Sequence, residues 1–317
     1  MSFQRLRRAL LVAACASSAF LAACGGGDVE SQLTPSRIVL FGDAFSDLGQ
    51  RGSRYTINDG SVNIWAAQLA SSYGKPLTTA AAGGLAYATG SARIAARPDA
   101  AGDASTPTVT QQVDSFLAVQ TIGTEDLVIV SGGIGDIVAE VGKIKAGTQT
   151  TEQAFANLRQ AGRDLGTQVR RLVQAGGKHV VVVGSYNLGK SPWAISTMQE
   201  SLLLDASSRF NEGMLVSIVD LGGSVLYVDA ALYLNLVTAA PTAYKFKDST
   251  TVVCTSVDPG PGIGIGAGQV NSALCNNATL GAGLDPALYV FADPIYLTPT
   301  AARLLGDYAF DRIRQRW

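Results

Sequence analysis

Apolar residues fall along this chain in two rhythms. Short, nearly unbroken apolar runs occur at residues 37–41 (Arg-Ile-Val-Leu-Phe), 126–130 (Asp-Leu-Val-Ile-Val), 179–183 (His-Val-Val-Val-Val) and 225–228. Runs of this length that do not alternate with polar residues predict strands buried on both faces. Helical spacing fills the intervals: residues 65–73, a face carrying Phe155, Leu158, Leu165, Val169 and Leu172 that stops at Gly176-Gly177, residues 195–219, and a closing segment 299–314. Strand and helix in alternation predict βαβ units, hence an α/β three-layer sandwich with a central parallel sheet. Ligands of such sheets sit at the carboxyl ends of the strands, which directs attention to the residues after Phe41, Val130 and Val183. No internal repeat interrupts residues 37–317, which are expected to form one domain.

The first residues have a different pattern. Arg5, Arg7 and Arg8 precede a run at residues 9–23 that is apolar except for Ser17 and Ser18. A positive segment followed by an apolar one is the signature of a secretory signal, and the run is shorter than the roughly 20 residues that span a bilayer. It ends in Leu21-Ala22-Ala23-Cys24, which is similar to a bacterial lipobox. The similarity implies cleavage before Cys24, lipid on that cysteine, and a Gly-rich tether over residues 24–36. Gly25 in the second mature position points to the periplasmic face of the outer membrane, with the lipid anchor as the only membrane contact. A simple secretory signal cut nearby is the alternative.

Composition narrows the chemistry. Lys and Arg number 24 against 25 Asp and Glu, so no basic surface for nucleic acid is expected. A single histidine, His179, excludes His-rich metal sites, and no metal or cofactor is expected. Its place at the start of an apolar run assigns it to a strand entry rather than to a site. With Cys15 in the signal and Cys24 expected to carry lipid, only Cys254 and Cys275 remain, too few for a metal site. In an oxidising compartment they are expected to form a disulfide around a Gly-rich loop. That loop contains Gly262-x-Gly264-x-x-Ala267, but it has no strand before it and no helix after it, so it predicts a flexible loop rather than a dinucleotide site.

No Gly-x-Ser-x-Gly elbow occurs. The first strand instead leads into Phe41-Gly42-Asp43-Ala44-Phe45-Ser46-Asp47-Leu48-Gly49, which resembles the first block of the SGNH, or GDSL, hydrolases, Phe-Gly-Asp-Ser-Leu-Ser-Asp-x-Gly. Further blocks come in order: Ala82-Gly83-Gly84-Leu85-Ala86 resembles the second, Gly133-Ile134-Gly135-Asp136 the third (Gly-x-Asn-Asp), residues 183–192 the loop after the next strand, and Asp293-Pro294-Ile295-Tyr296 the fifth (Asp-x-x-His). The two-cysteine insertion before the fifth block resembles the secreted bacterial esterase branch. The resemblance implies a flavodoxin-like SGNH-hydrolase fold. It also implies Gly83 and Gly84 as backbone donors to an oxyanion, and Asp293 as the acid of a catalytic triad.

Three positions depart from the family pattern. Ala44 stands at the nucleophile, Gly135 at the oxyanion asparagine and Tyr296 at the general-base histidine. Alanine has no oxygen to attack an ester, glycine no amide to donate, and a phenol of pKa about 10 accepts protons poorly at neutral pH. Loss of one oxyanion donor costs about 10²–10³ in rate, and loss of a triad nucleophile about 10⁶. The expectation is a non-catalytic binder of an ester, lipid or glycan ligand at the old cleft. Two alternatives stand beside it: an active carboxylic-ester hydrolase using Ser46, and a structural module of an envelope complex. Asp43, Asp47, Asp136 and Asp293 are expected to converge near the cleft. Restoring serine, asparagine and histidine at positions 44, 135 and 296 is expected to return part of an esterase activity.

Overall fold

The computed structural model describes residues 33–317. The expected signal, the expected lipidation site at Cys24 and most of the tether expected over residues 24–36 lie outside the described residues. Strand β1 (Ile38–Phe41) is followed by helix α1 (Trp65–Ser72), α2 (Val109–Leu117), β2 (Leu127–Ser131), α3 (Ile134–Lys145), α4 (Thr151–Gln174), β3 (His179–Val183), α5 (Pro192–Thr197), α6 (Glu200–Ile218), β4 (Val225–Tyr227) and α7 (Ala230–Ala239). Strands β1 to β4 form a parallel sheet in that order, in register Ile38 with Leu127 with His179 and Val180 with Val225. Nearly every residue of β1, β2 and β3 is buried, as the unbroken apolar runs require. The α/β fold with a central parallel sheet flanked by helices is therefore the one the sequence predicts.

A single backbone bridge sets the topology. Leu40 pairs in parallel with Ala86, its N–H donating to Leu85 and its carbonyl accepting from Tyr87. Residues 85–87 thus lie on the free edge of β1, so the chain steps one way from β1 and then returns across the sheet through β2, β3 and β4. Right-handed crossovers then place α1 on one face and the later crossover helices on the other. Helix α8 (Pro299–Arg314) packs on α1, whereas α3, α4 and α6 pack on one another. The two directions diverge between β1 and β2, where an open α/β sheet forms its ligand crevice.

Where the structure and the pattern differ, backbone detail is the cause. Residues 195–219 form two helices, because Met198 adopts φ +55° and ends α5. Helix α3 begins at Gly133-Ile134-Gly135, where two glycines hide its start. His179 stands at the entry of β3, edge-on to Trp317 at 5.1 Å. That is the sheet end opposite the crevice, and burial pushes the imidazole below its ordinary pKa.

The last third of the chain carries β5 (Asp248–Val252), a hairpin of β6 (Val257–Asp258) and β7 (Gln269–Val270), and β8 (Tyr289–Phe291), which pairs with β5. Cys254 and Cys275 form a disulfide across the base of the hairpin. The Gly-rich tip expected to be a flexible loop instead buries Ile263 in the main core, with 1% of its surface exposed. No helix among the described residues is long and apolar enough to cross a membrane. Replacing both cysteines with serine frees a loop of about 20 residues in the unfolded chain. The variant is expected to lose about 3 kcal/mol in denaturant unfolding; a loss below about 1 kcal/mol would show that the hairpin does not depend on the bond.

Candidate functional site

The loops at the carboxyl ends of β1, β2 and β3 meet at one mouth. Asp43, in the turn that leaves β1, accepts from the N–H of Phe45 at 3.0 Å and of Ile134 at 3.1 Å. One carboxylate therefore joins the first and third blocks, and it does so at the positive end of α3, where an acid is favoured. It is fully buried, and desolvation raises its pKa to about 6 against those hydrogen bonds. Gln112 of α2 grips the same turn, accepting from Gly42 N–H and donating to Gly42 carbonyl, both at 2.9 Å.

Asp293 does the equivalent work for the fifth block. Its Oδ1 accepts from the N–H of Ile295 at 2.8 Å and Tyr296 at 2.7 Å, and its Oδ2 from Ser272 N–H at 2.9 Å. Burial raises this carboxyl also to about 6. Tyr186, just past the end of β3, donates its hydroxyl to Ile295 carbonyl at 2.6 Å and lies 5.8 Å from the Phe45 ring. Tyr296 packs against Tyr55 at 5.0 Å, and its phenol lies within the electrostatic reach of Asp43 and Asp293. The first block, the loop after β3 and the fifth block therefore share one buried interior.

Ala44 is wholly buried in that interior and Tyr296 is only 3% exposed. Burial pushes the Tyr296 phenol well above its ordinary pKa, so it stays protonated and cannot take a proton from a nucleophile at neutral pH. Gly135 is pressed onto the segment that continues from the second block. A Cβ placed there would lie 2.2 Å from the carbonyl oxygen of Ala92, closer than real side chains approach, and 3.0 Å from that of Ser91. Restoring asparagine at this position thus requires the backbone of residues 91–92 to move.

The segment that presses on Gly135 is held by charge. Asp136 accepts from Ile94 N–H at 2.9 Å and from Arg93 at 3.2 Å, and Arg93 reaches Glu140 at 3.0 Å. All three are almost fully buried, so the ion pairs are shielded from water and the removal of one partner would strand a charge. Gly83 and Gly84 lie earlier on the same segment, in a surface turn where their N–H groups donate to the carbonyls of Ala80 and Thr79. The glycine at the mouth is Gly90, whose N–H goes to Asp47 at 2.7 Å. Its signal in the sequence is the small-residue run from Ala88 to Ala92, immediately after the residues that bridge β1.

Ser46 is fully buried. Its hydroxyl accepts from the Trp65 indole at 2.9 Å and pairs with the Ser131 hydroxyl at 2.7 Å. Asp47 accepts from the N–H of Gly49, Gln50 and Gly90. The four aspartates of the mouth are each committed to separate backbone groups, and no cluster of three ligating side chains suited to a metal occurs among the described residues.

These contacts predict an asymmetry between two glycines of one helix. Gly135→Ala is expected to destabilise the protein by about 1–3 kcal/mol in denaturant unfolding, because the added methyl overlaps a fixed carbonyl. Gly142→Ala, where a Cβ meets nothing within 4 Å, is expected to be neutral or stabilising through helix propensity. Equal effects at the two positions would contradict the close approach.

The profile of the GDSL-like Lipase/Acylhydrolase family matches residues 38–309. The chain is also similar, at 23% identity over 322 aligned positions, to a Pseudomonas putida protein described as an uncharacterized protein in the trpE-trpG intergenic region. That alignment takes in 89% of this chain and 49% of the relative, so the chain spans about half the relative's length. Two solved structures align over 88% and 87% of the chain and 96% of their own lengths, at 15% and 13% identity and TM-scores of 0.44 and 0.43. With a match that runs from β1 into the last helix, this chain belongs to the GDSL-like lipase/acylhydrolase family.

Proposed function

We propose that this GDSL-family protein does not hydrolyse esters and acts as a binding protein of the cell envelope. The observation that carries the reading is the state of the mouth. The position that resembles the nucleophile is a fully buried alanine, the position that resembles the base is a buried, protonated tyrosine, and the position that resembles the oxyanion amide is a glycine sealed by Ala92. Ester hydrolysis needs an attacking oxygen, a proton acceptor and an oxyanion donor within reach of one carbonyl. None of these three side chains supplies one.

Hydrolysis through Ser46 finds less support. An activated serine needs a base within hydrogen-bond distance, and the partners of Ser46 are an indole donor and a second serine. Asp293 resembles a retained triad acid, but its oxygens are occupied by three backbone N–H groups, so its role in this reading is to shape the turn that carries Tyr296. A lipid anchor at Cys24 belongs to the same reading and rests on Leu21-Ala22-Ala23-Cys24.

The purified protein is expected to hydrolyse nitrophenyl butyrate and nitrophenyl decanoate no faster than buffer, and to take no label from a fluorophosphonate probe. Turnover that disappears in the Ser46→Ala variant, or labelling at Ser46, would overturn the reading in favour of an active hydrolase.

A further inference from the structure

One cavity in the described surface combines apolar walls with a single charged side chain that has no acidic neighbour in the lining. It has a volume of about 500 Å³ and lies between α3, α5 and the tip of the β6–β7 hairpin. Val138 and Val141 of α3, Trp193 of α5 and Ile265 of the tip supply its apolar walls, and Thr197 and Gln199 its polar edge. Lys145 is the one charged side chain in its lining. A second cavity, of about 390 Å³, is lined by Arg93, Asp136 and Glu140, whose charges are already paired with one another. Two others, of about 520 and 280 Å³, are not walled by a buried tryptophan.

The walls of the 500 Å³ cavity are fixed by contacts of their own. Trp193 is 7% exposed, and its backbone N–H donates to Pro294 carbonyl at 3.0 Å, beside Asp293. The hairpin tip sits down at Gly264, whose φ of +88° suits glycine. A Cβ there would lie 2.4 Å from Ala100 carbonyl and 2.8 Å from Val138, so backbone and helix touch directly. Ile263 beside it is buried in the core, and the disulfide ties the base of the hairpin. The cavity is thus preformed and concave, apolar over most of its wall, with a few convergent polar groups, which is the usual form of a small-molecule site.

Its charge points to one class of ligand. Lys143, just before it on α3, is paired with Glu140 at 2.6 Å. Lys145 makes no ion pair or hydrogen bond among the described residues, and no acidic side chain lines the cavity. A lone ammonium at the edge of an apolar recess complements a molecule with one anionic head and one apolar body.

We propose that this cavity binds a small apolar carboxylate, with the carboxylate at Lys145 and the hydrocarbon against Val138, Val141 and Trp193. The assignment rests on the reading of the protein as a binder and names its site, beside the sealed mouth rather than within it.

The test is titration of the purified protein with hexanoate, octanoate and decanoate, monitored by calorimetry and by tryptophan fluorescence. Affinity is expected to rise about fourfold per methylene as apolar surface is buried. Decylamine is expected to bind at least about tenfold more weakly than decanoate. Lys145→Glu is expected to weaken decanoate at least about fivefold, with the loss shrinking as salt is raised, and to leave decanol within about twofold. Gly142→Phe, at a helix position with open space around it, is expected to fill the cavity and abolish binding of both while unfolding normally. No decanoate binding to the wild-type protein, equal affinity for decylamine, or binding that survives Gly142→Phe in folded protein would overturn the proposal. Hydrolysis of nitrophenyl decanoate by the same preparation separates the two readings. Turnover together with decanoate binding overturns the non-hydrolytic reading alone, whereas the absence of both overturns the cavity assignment alone.

Discussion

Four buried carboxylates hold the loops at the carboxyl end of the sheet, and the geometry of the mouth depends on them. Asp43 joins the turn after β1 to the start of α3, Asp47 joins that turn to Gly90, Asp136 joins α3 to residues 93–94, and Asp293 joins the turn before α8 to Ser272. Each satisfies backbone N–H groups that have no partner within a regular element, and burial without such partners would cost about 1–3 kcal/mol per group. A carboxylate accepts several such bonds at once, which explains why acids rather than amides occupy these positions. Asp43 and Asp293 are raised to about 6, so each is held as a structural acceptor at neutral pH at a cost in desolvation.

This scaffold is also what supports the proposed non-hydrolytic reading. The loops converge, and the space beside the positions that resemble the catalytic ones is occupied by neighbours. Ala92 carbonyl fills the place beside Gly135, and the Tyr296 and Tyr55 rings pack together in the same interior. Close packing leaves no reason for a void to persist, since an empty pocket forfeits contacts on every wall. One backbone hydrogen bond, from Trp193 N–H to Pro294 carbonyl, ties the recess beside α3 to the turn that carries Tyr296.

Much of this was legible in the residues. Continuous apolar runs marked the strands because a parallel sheet is covered on both faces, and the ordered blocks at the strand ends placed Asp43, Gly135 and Asp293 in two loops and a helix start that gather at the same end of the sheet. Other features were not legible. The bridge between Leu40 and Ala86 is a single pair, with no run of residues to announce it, so Gly83 and Gly84 drew attention that the structure directs to Gly90. A glycine-rich stretch reads as flexible when only backbone freedom is counted. Ile263 anchors it through a tertiary contact that no local pattern reveals. The break at Met198 likewise depends on a left-handed residue inside an otherwise helical pattern.

The central claim is that the mouth is sealed and not merely short of side chains. Its most direct measurement is fluorophosphonate labelling of the Ala44→Ser/Tyr296→His variant, which regains an oxygen and a base while Gly135 and Ala92 stay in contact. Sealing predicts no labelling at position 44 in protein that unfolds cooperatively. Stoichiometric labelling at position 44 in the native variant would show that a ligand can reach the mouth, and would contradict the account.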